Sequence, residues 1–201
     1  MEGEERMVVI DATVLMPLMR PDIPVPAGAD GIPITRVKER IDYLVKRLEK
    51  ERTKIIVPTP ALSEVLVRAG AEASEKIIEH LQKFAVFRIE PFDTKAAIEV
   101  AAMNRELLNS RQRKRGIGNA TWAKIKFDWQ IVAIAKVCAA TMIYSDDGDI
   151  KAISARAGIK VQALADLPLP PEDAQLGLEL TGAADDSLKE RENENQEDPR
   201  S

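Results

Sequence analysis

Three aspartates fall within four residues in SDDGDI, at Asp146, Asp147 and Asp149, directly after the apolar run MIY. Other acids stand beside other short apolar runs: Asp11 closes MVVI, Glu64 follows KIIVPT, and Asp128 leads into QIVAIAKVCAA. Carboxylates brought to ~4 Å from one another each cost the next about 4 kcal/mol at an effective dielectric of 20. They stay ionised together only beside a cation; otherwise some take up protons. Side chains for a different kind of site are missing. The one histidine, His80, sits in a helix of surface pattern with no partner at ligand spacing, and the one cysteine, Cys138, excludes a cysteine cage. Oxygen donors alone suit Mg²⁺ or Mn²⁺, held by a few carboxylates together with water and substrate phosphate. Such an ion activates water and neutralises charge developing on phosphorus, so a carboxylate-only site points toward phosphodiester hydrolysis.

Each acid also has a plainer reading. Asp11 suits a strand-end turn, Glu64 a solvated helix surface, Asp128 the first turn of a helix where it would meet the dipole, and SDDGDI a solvated turn. The case for a site rests on whether four separate segments meet. MVVI (7–10), KIIVPT (54–59), VFRI (86–89), TMIY (141–144) and KVQAL (160–164) read as short buried strands. Between them lie helical patterns. ATVLMPLMRP reads as a brief helix or turn broken by Pro17 and Pro21, and TRVKERIDYLVKRLEKER as an amphipathic helix with Thr35 as N-cap. Thr59-Pro60 resembles a capped start for ALSEVLVRAG, ending near Gly70. ASEKIIEHLQKF, then DTKAAIEVAAMNRELL with Asp93 as cap, then KFDWQIVAIAKVCAA with Asp128 at its polar N-terminal end, and DIKAISARAG complete the set. DIPVPAGADGIPI (22–34), rich in Pro and Gly, predicts an extended loop. Strands alternating with helices predict a parallel sheet covered on both faces. In such sheets ligands bind outside the carboxyl ends of the strands, which is where Asp11, Glu64, Asp147 and Asp149 fall.

VVIDATVL, VPTPALSEVL, FDWQIVAIAKVCAA and MIYSDDGDIKAI, in that order, resemble the four acidic blocks of the PIN-domain nucleases, the fold of the VapC-type ribonuclease toxins. The resemblance spans about residues 7–165, and the nineteen positions from Asp128 to Asp147 fit its last two blocks. It implies that Asp11, Glu64, Asp128 and Asp147 are the catalytic acids and that Asp11, Asp128, Asp147 and Asp149 ligate metal. Thr13 and Ser145 would be polar groups supporting them, and Asp146 a solvated extra. It further implies an α/β fold, a single PIN-like domain with a central parallel sheet flanked by helices. The implied activity is Mg²⁺- or Mn²⁺-dependent endoribonuclease cleavage of RNA by a metal-activated water. Implied partners are a second copy in a homodimer and, for a toxin, a small antitoxin protein. The long gap between the first two acids, Ile150 where an aromatic is common, and the acidic C-terminal segment depart from the compact toxins. The alternative of another class is an RNA-binding or assembly module on the same fold with an idle acidic site.

The formal net charge of −4 averages two unlike parts. Residues 172–201 hold ten acids and three bases, a net of −7, and have few large apolar residues, which predicts a disordered acidic tail. Residues 1–171 carry a net of +3 and would form the domain. Within them RQRKRGIGNATWAKIK gathers Arg111, Arg113, Lys114, Arg115, Lys124 and Lys126 just ahead of Asp128, a setting for phosphate contacts on RNA. Trp122 fits a core or interface, and Cys138 a small apolar place within its helix. The N-terminus has acids where a secretory signal has bases, and no window reaches the ~20 apolar residues of a membrane span. The expectation is a cytoplasmic protein with no membrane segment. Two other α/β readings fail on residues. A haloacid-dehalogenase-type phosphatase needs an aspartate two positions after its first, where Thr13 stands, and a receiver domain needs a phosphoacceptor after a third strand, which VFRIEPFD lacks.

Overall fold

The computed structural model describes residues 5–20, 23–28, 31–109 and 122–171, with the side chains of 106–109 and 122–126 set aside. The chain divides into two units, Met1–Leu169 and Pro170–Ser201. In the first, five parallel strands form one sheet in the order β3-β2-β1-β4-β5: β1 Met7–Ile10, β2 Lys54–Pro58, β3 Phe87–Glu90, β4 Met142–Tyr144 and β5 Lys160–Gln162. Val9 in the centre pairs with Ile56 on one side and Ile143 on the other, and all three are fully buried. Continuous β-branched runs form strands here because both faces of a parallel sheet are covered. The expectation of an α/β fold with a central parallel sheet holds.

Among the described residues, seven α-helices connect and cover the strands: α1 Ala12–Met19, α2 Val37–Lys50, α3 Thr59–Ala69, α4 Ala71–Lys83, α5 Thr94–Asn109, α6 Trp122–Val137 and α7 Gly148–Ala157. Helices α1 to α4 pack on one another, as do α5, α6 and α7, and α3 also meets α6. Right-handed crossovers put those two groups on opposite faces. Because β1, β2 and β3 run outward in one direction and β4 and β5 in the other, the strand order reverses beside β1. The carboxyl ends of β1 and β4 form the switch-point crevice.

Several local expectations need correction. Helix α1 runs through Pro17 rather than breaking there; Val14, Leu15, Met16 and Pro17 are all buried, and that packing offsets the one backbone bond the proline removes. Thr35 does not cap α2: Arg36 takes that place in the left-handed region at φ 55° and ion-pairs with Glu39. Thr59 is the first residue of α3, not its cap, and its hydroxyl accepts instead from the Phe92 amide at 3.1 Å, joining the exits of β2 and β3. Helix α6 starts at Trp122, so Asp128 lies about two turns inside it and the dipole reading of that acid fails. Cys138 lies just past the end of α6, half-buried, and burial pushes its thiol up. Asp93 caps α5 as expected, accepting from Ala96 N at 2.9 Å, and Gly158 ends α7 at φ 71°, where a side chain would be strained. Residues 23–28 and 31–34 form an irregular segment closed by one antiparallel bridge between Ala27 and Pro33. Arg111, Arg113, Lys114 and Arg115 lie outside the described residues, as do the side chains of Lys124, Lys126 and Trp122.

Candidate metal centre

Asp11 leaves the end of β1 and caps α1, its carboxylate accepting from the Thr13 amide. Its Oδ2 also accepts from the hydroxyls of Ser145 at 3.0 Å and Thr13 at 3.2 Å. Each hydroxyl is itself an acceptor: Ser145 Oγ takes the Asp147 amide and Thr13 Oγ1 the Asp146 amide, both at 3.0 Å. Two strand ends are thus laced through one carboxylate, and the Asp11 amide closes the crossing onto the Tyr144 carbonyl. Asp11 is only 3% exposed. Burial pushes its carboxyl above the ordinary 3.8, and the hydrogen bonds from Ala12, Ser145 and Thr13 pull it back by less.

Asp147 caps α7 and accepts from the Asp149 amide at 2.7 Å, so the turn that ends β4 places both acids in register. Asp128 arrives from α6. Residues Ile131 to Ala135 of that helix are all buried, so a carboxylate 5% exposed just before them stands out. Asp128, Asp147 and Asp149 each offer a carboxylate oxygen, and these oxygens lie within 4.8 Å of one another. Two of the four segments meet in this group, α6 and the turn into α7. Asp11 stands outside that group, joined to it by Ser145.

Glu64 is placed otherwise. It sits half-exposed on α3 and pairs with Arg68 one turn on, at 2.7 Å. Asp146 is exposed as expected but not idle, since its Oδ1 accepts from the Leu164 amide at 2.8 Å and ties the end of β4 to the turn after β5. A cavity of about 520 Å³ lies between α1, Arg68 of α3 and the loop at 23–27, with Thr13 and Asp146 also in its walls. Nothing in the sequence signalled that cavity, because residues 23–27 close it from a loop whose path is set by tertiary packing. Arg68, in contrast, stood at the i+4 position where a helix brings a cation onto an acid.

Neither a scan of family models nor a comparison with curated proteins gives a match. Solved structures do match. A chain of VapBC2 from Rickettsia felis, crystallised bound to a DNA fragment from their promoter, aligns over 78% of this chain and 98% of its own at TM-score 0.51 and 14% identity. The chain has a VapC-like PIN fold. VapBC from Salmonella typhimurium bound to DNA aligns over 79% of this chain and 98% of its own, at TM-score 0.49 and 14% identity. VapC20 from Mycobacterium tuberculosis, a Sarcin-Ricin loop cleaving toxin, aligns over 72% and 93% at TM-score 0.45 and 14% identity. Sequence identity this low establishes the shared PIN fold and leaves the chemistry to be argued from the residues. On this PIN fold the acids stand at the crevice where the strand order reverses.

Proposed function

We propose that this chain is a metal-dependent endoribonuclease hydrolysing RNA phosphodiester bonds, with the PIN fold supplying the frame. One observation carries the reading: Asp128, Asp147 and Asp149 each bring a carboxylate oxygen to within 4.8 Å of the others. The donor set fits a hard divalent ion such as Mg²⁺ or Mn²⁺, since all three ligand atoms are carboxylate oxygens. Asp128, Asp147 and Asp149 would hold it, with Asp11 closing the set through the Ser145 link. When bound, the ion lowers the pKa of water and offsets charge on the phosphoryl oxygens.

The chain's own residues do the rest. Ser145 and Thr13 fix the Asp11 carboxylate in one orientation by donating to the same oxygen, and such supporting bonds keep a site in productive geometry. Glu64 orients the attacking water once Arg68 turns to substrate phosphate. Arg111, Arg113, Lys114, Arg115, Lys124 and Lys126 supply sequence-independent phosphate contacts. A homodimer and a small antitoxin protein are the partners this reading carries, the second because the similar structures include VapBC complexes. The protein would work in the cytoplasm.

The test is cleavage of a mixed single-stranded and structured RNA pool with Mg²⁺ or Mn²⁺ by wild type, Asp128→Asn and Asp147→Asn. Cutting that needs the ion and disappears in both variants supports the proposal. Wild-type protein that neither cuts RNA nor binds either ion refutes it, and the carboxylates then lose their catalytic role.

A further inference from the structure

We propose that the cavity beside the acids holds one nucleobase of the RNA, a base bearing an exocyclic amino group, next to the phosphodiester at the metal centre. This rests on the ribonuclease reading and adds a specificity subsite to it. Position is the first argument. Thr13 lines the cavity and donates to Asp11 Oδ2, while its hydroxyl accepts from the amide of Asp146, which also lines it. One hydrogen bond therefore links the cavity wall to Asp11, and Asp146 on that wall is the residue next to Asp147. A nucleotide neighbouring the scissile phosphate lies at that range.

The lining is the second argument. At about 520 Å³ the cavity falls in the range of small-ligand sites. Met16, Pro17, Ile23, Pro24 and Pro26 give apolar walls for the faces of a planar ring. Arg20 and Arg68 add two guanidiniums, planar groups that stack on bases and fork onto phosphate. Arg68 spends one nitrogen on Glu64 and has five N–H donors in all. Asp146 adds an acceptor of the kind that takes a base amino group, as acids do from cytosine N4. An apolar peptide side chain would use the walls alone and take no advantage of Asp146 or of the guanidiniums of Arg20 and Arg68. A nucleotide matches all three, with its base amine on Asp146 and its phosphate on the arginines. Uracil, which presents a carbonyl where cytosine has the amine, is disfavoured.

The experiment walks an abasic residue along a short single-stranded RNA and measures affinity by fluorescence anisotropy, with divalent ions chelated so that nothing is cut. Loss of one base, at one position relative to the cleavage site, should weaken binding about 10-fold, within the range of a buried base contact. Uridine there should weaken it more than cytidine or adenosine does. Ala27 is exposed on the cavity wall, so Ala27→Trp fills the space and should weaken intact RNA to the abasic level and flatten the scan. Ala27→Ser leaves the space open and should keep the wild-type profile. A scan with no responsive position, or one unchanged by Ala27→Trp, overturns the subsite and leaves the cavity to a protein segment. Because this arm needs no cleavage, a positive scan from a protein that never cuts RNA would refute the nuclease and keep the subsite. Cleavage with a flat scan would do the reverse.

Discussion

Asp11 carries an energetic cost that its neighbours only partly relieve. Its carboxyl is held above 3.8 by burial, so in the metal-free protein the ionised form is disfavoured. The sign follows from linkage. A folded-state pKa above the unfolded value gives stability that is present below 3.8 and lost as pH rises through the raised pKa. Metal-free protein should therefore lose thermal stability across that interval, and Asp11→Asn should flatten the dependence. At neutral pH the same variant should melt higher than wild type, while RNA cleavage disappears. A melting profile of Asp11→Asn parallel to wild type across pH would refute this account of the acid. Ser145 is the other exposed point of the network in energetic terms, since its hydroxyl is buried and serves both Asp11 and the Asp147 amide. Ser145→Ala should cost about 1–3 kcal/mol in denaturant melts and lower turnover about 10- to 100-fold, the usual effect of losing a group that orients a metal ligand. Ser154 on α7 behaves oppositely. Its hydroxyl is fully buried with no hydrogen-bond partner, so Ser154→Ala should raise the unfolding free energy by ~1 kcal/mol with cleavage unchanged.

At the scale of elements, MVVI, KIIV and MIY were readable as short apolar runs that the structure buries, FRI and KVQ are the less buried edge strands, and the ends moved by a residue or two where turns took over. The helix caps were less readable. A hydroxyl at Thr35 or Thr59 has the right chemistry for a cap, yet Arg36 found a partner in Glu39 and Thr59 found one across the sheet in Phe92. Local sequence cannot weigh a partner on another strand. Thr59→Val tests that tie: losing it should cost roughly 1 kcal/mol and speed hydrogen exchange at the Phe92 amide, with β2 itself unaffected. Asp128 shows the same limit from the site's side. Its residue type and its distance from Asp147 were legible, but the extra turns of α6 before it were not, because the lysines of WAKIKF leave no clear start signal. The acids of the third and fourth blocks met as spacing implied; Glu64 paired with Arg68, which a helix-surface pattern explains equally well.

For the whole molecule, three acids facing one another mean that a bound cation should report on the fold. A ligand that binds only the native state at 100 times its Kd adds about 2.7 kcal/mol, which in this size class is roughly 5–10 °C of Tm. Titrating Mn²⁺ or Mg²⁺ should therefore raise the melting temperature of wild type and leave Asp147→Asn flat; equal shifts in both proteins would place the ion elsewhere. No helix among the described residues is long and apolar enough to cross a membrane.

The bond between Ser145 and Asp11 joins residues 134 positions apart. At the usual pace of synthesis, about 5–20 residues per second, the serine is made roughly 7 to 27 seconds after the aspartate. Until then the nascent chain carries Asp11, Glu64 and the cavity's arginines with nothing to complete them. A message broken or a ribosome stalled before that point yields a polypeptide without a centre. The contact between the ends of the first and fourth strands thus dates the centre, which forms only once the chain has been made through Ser145.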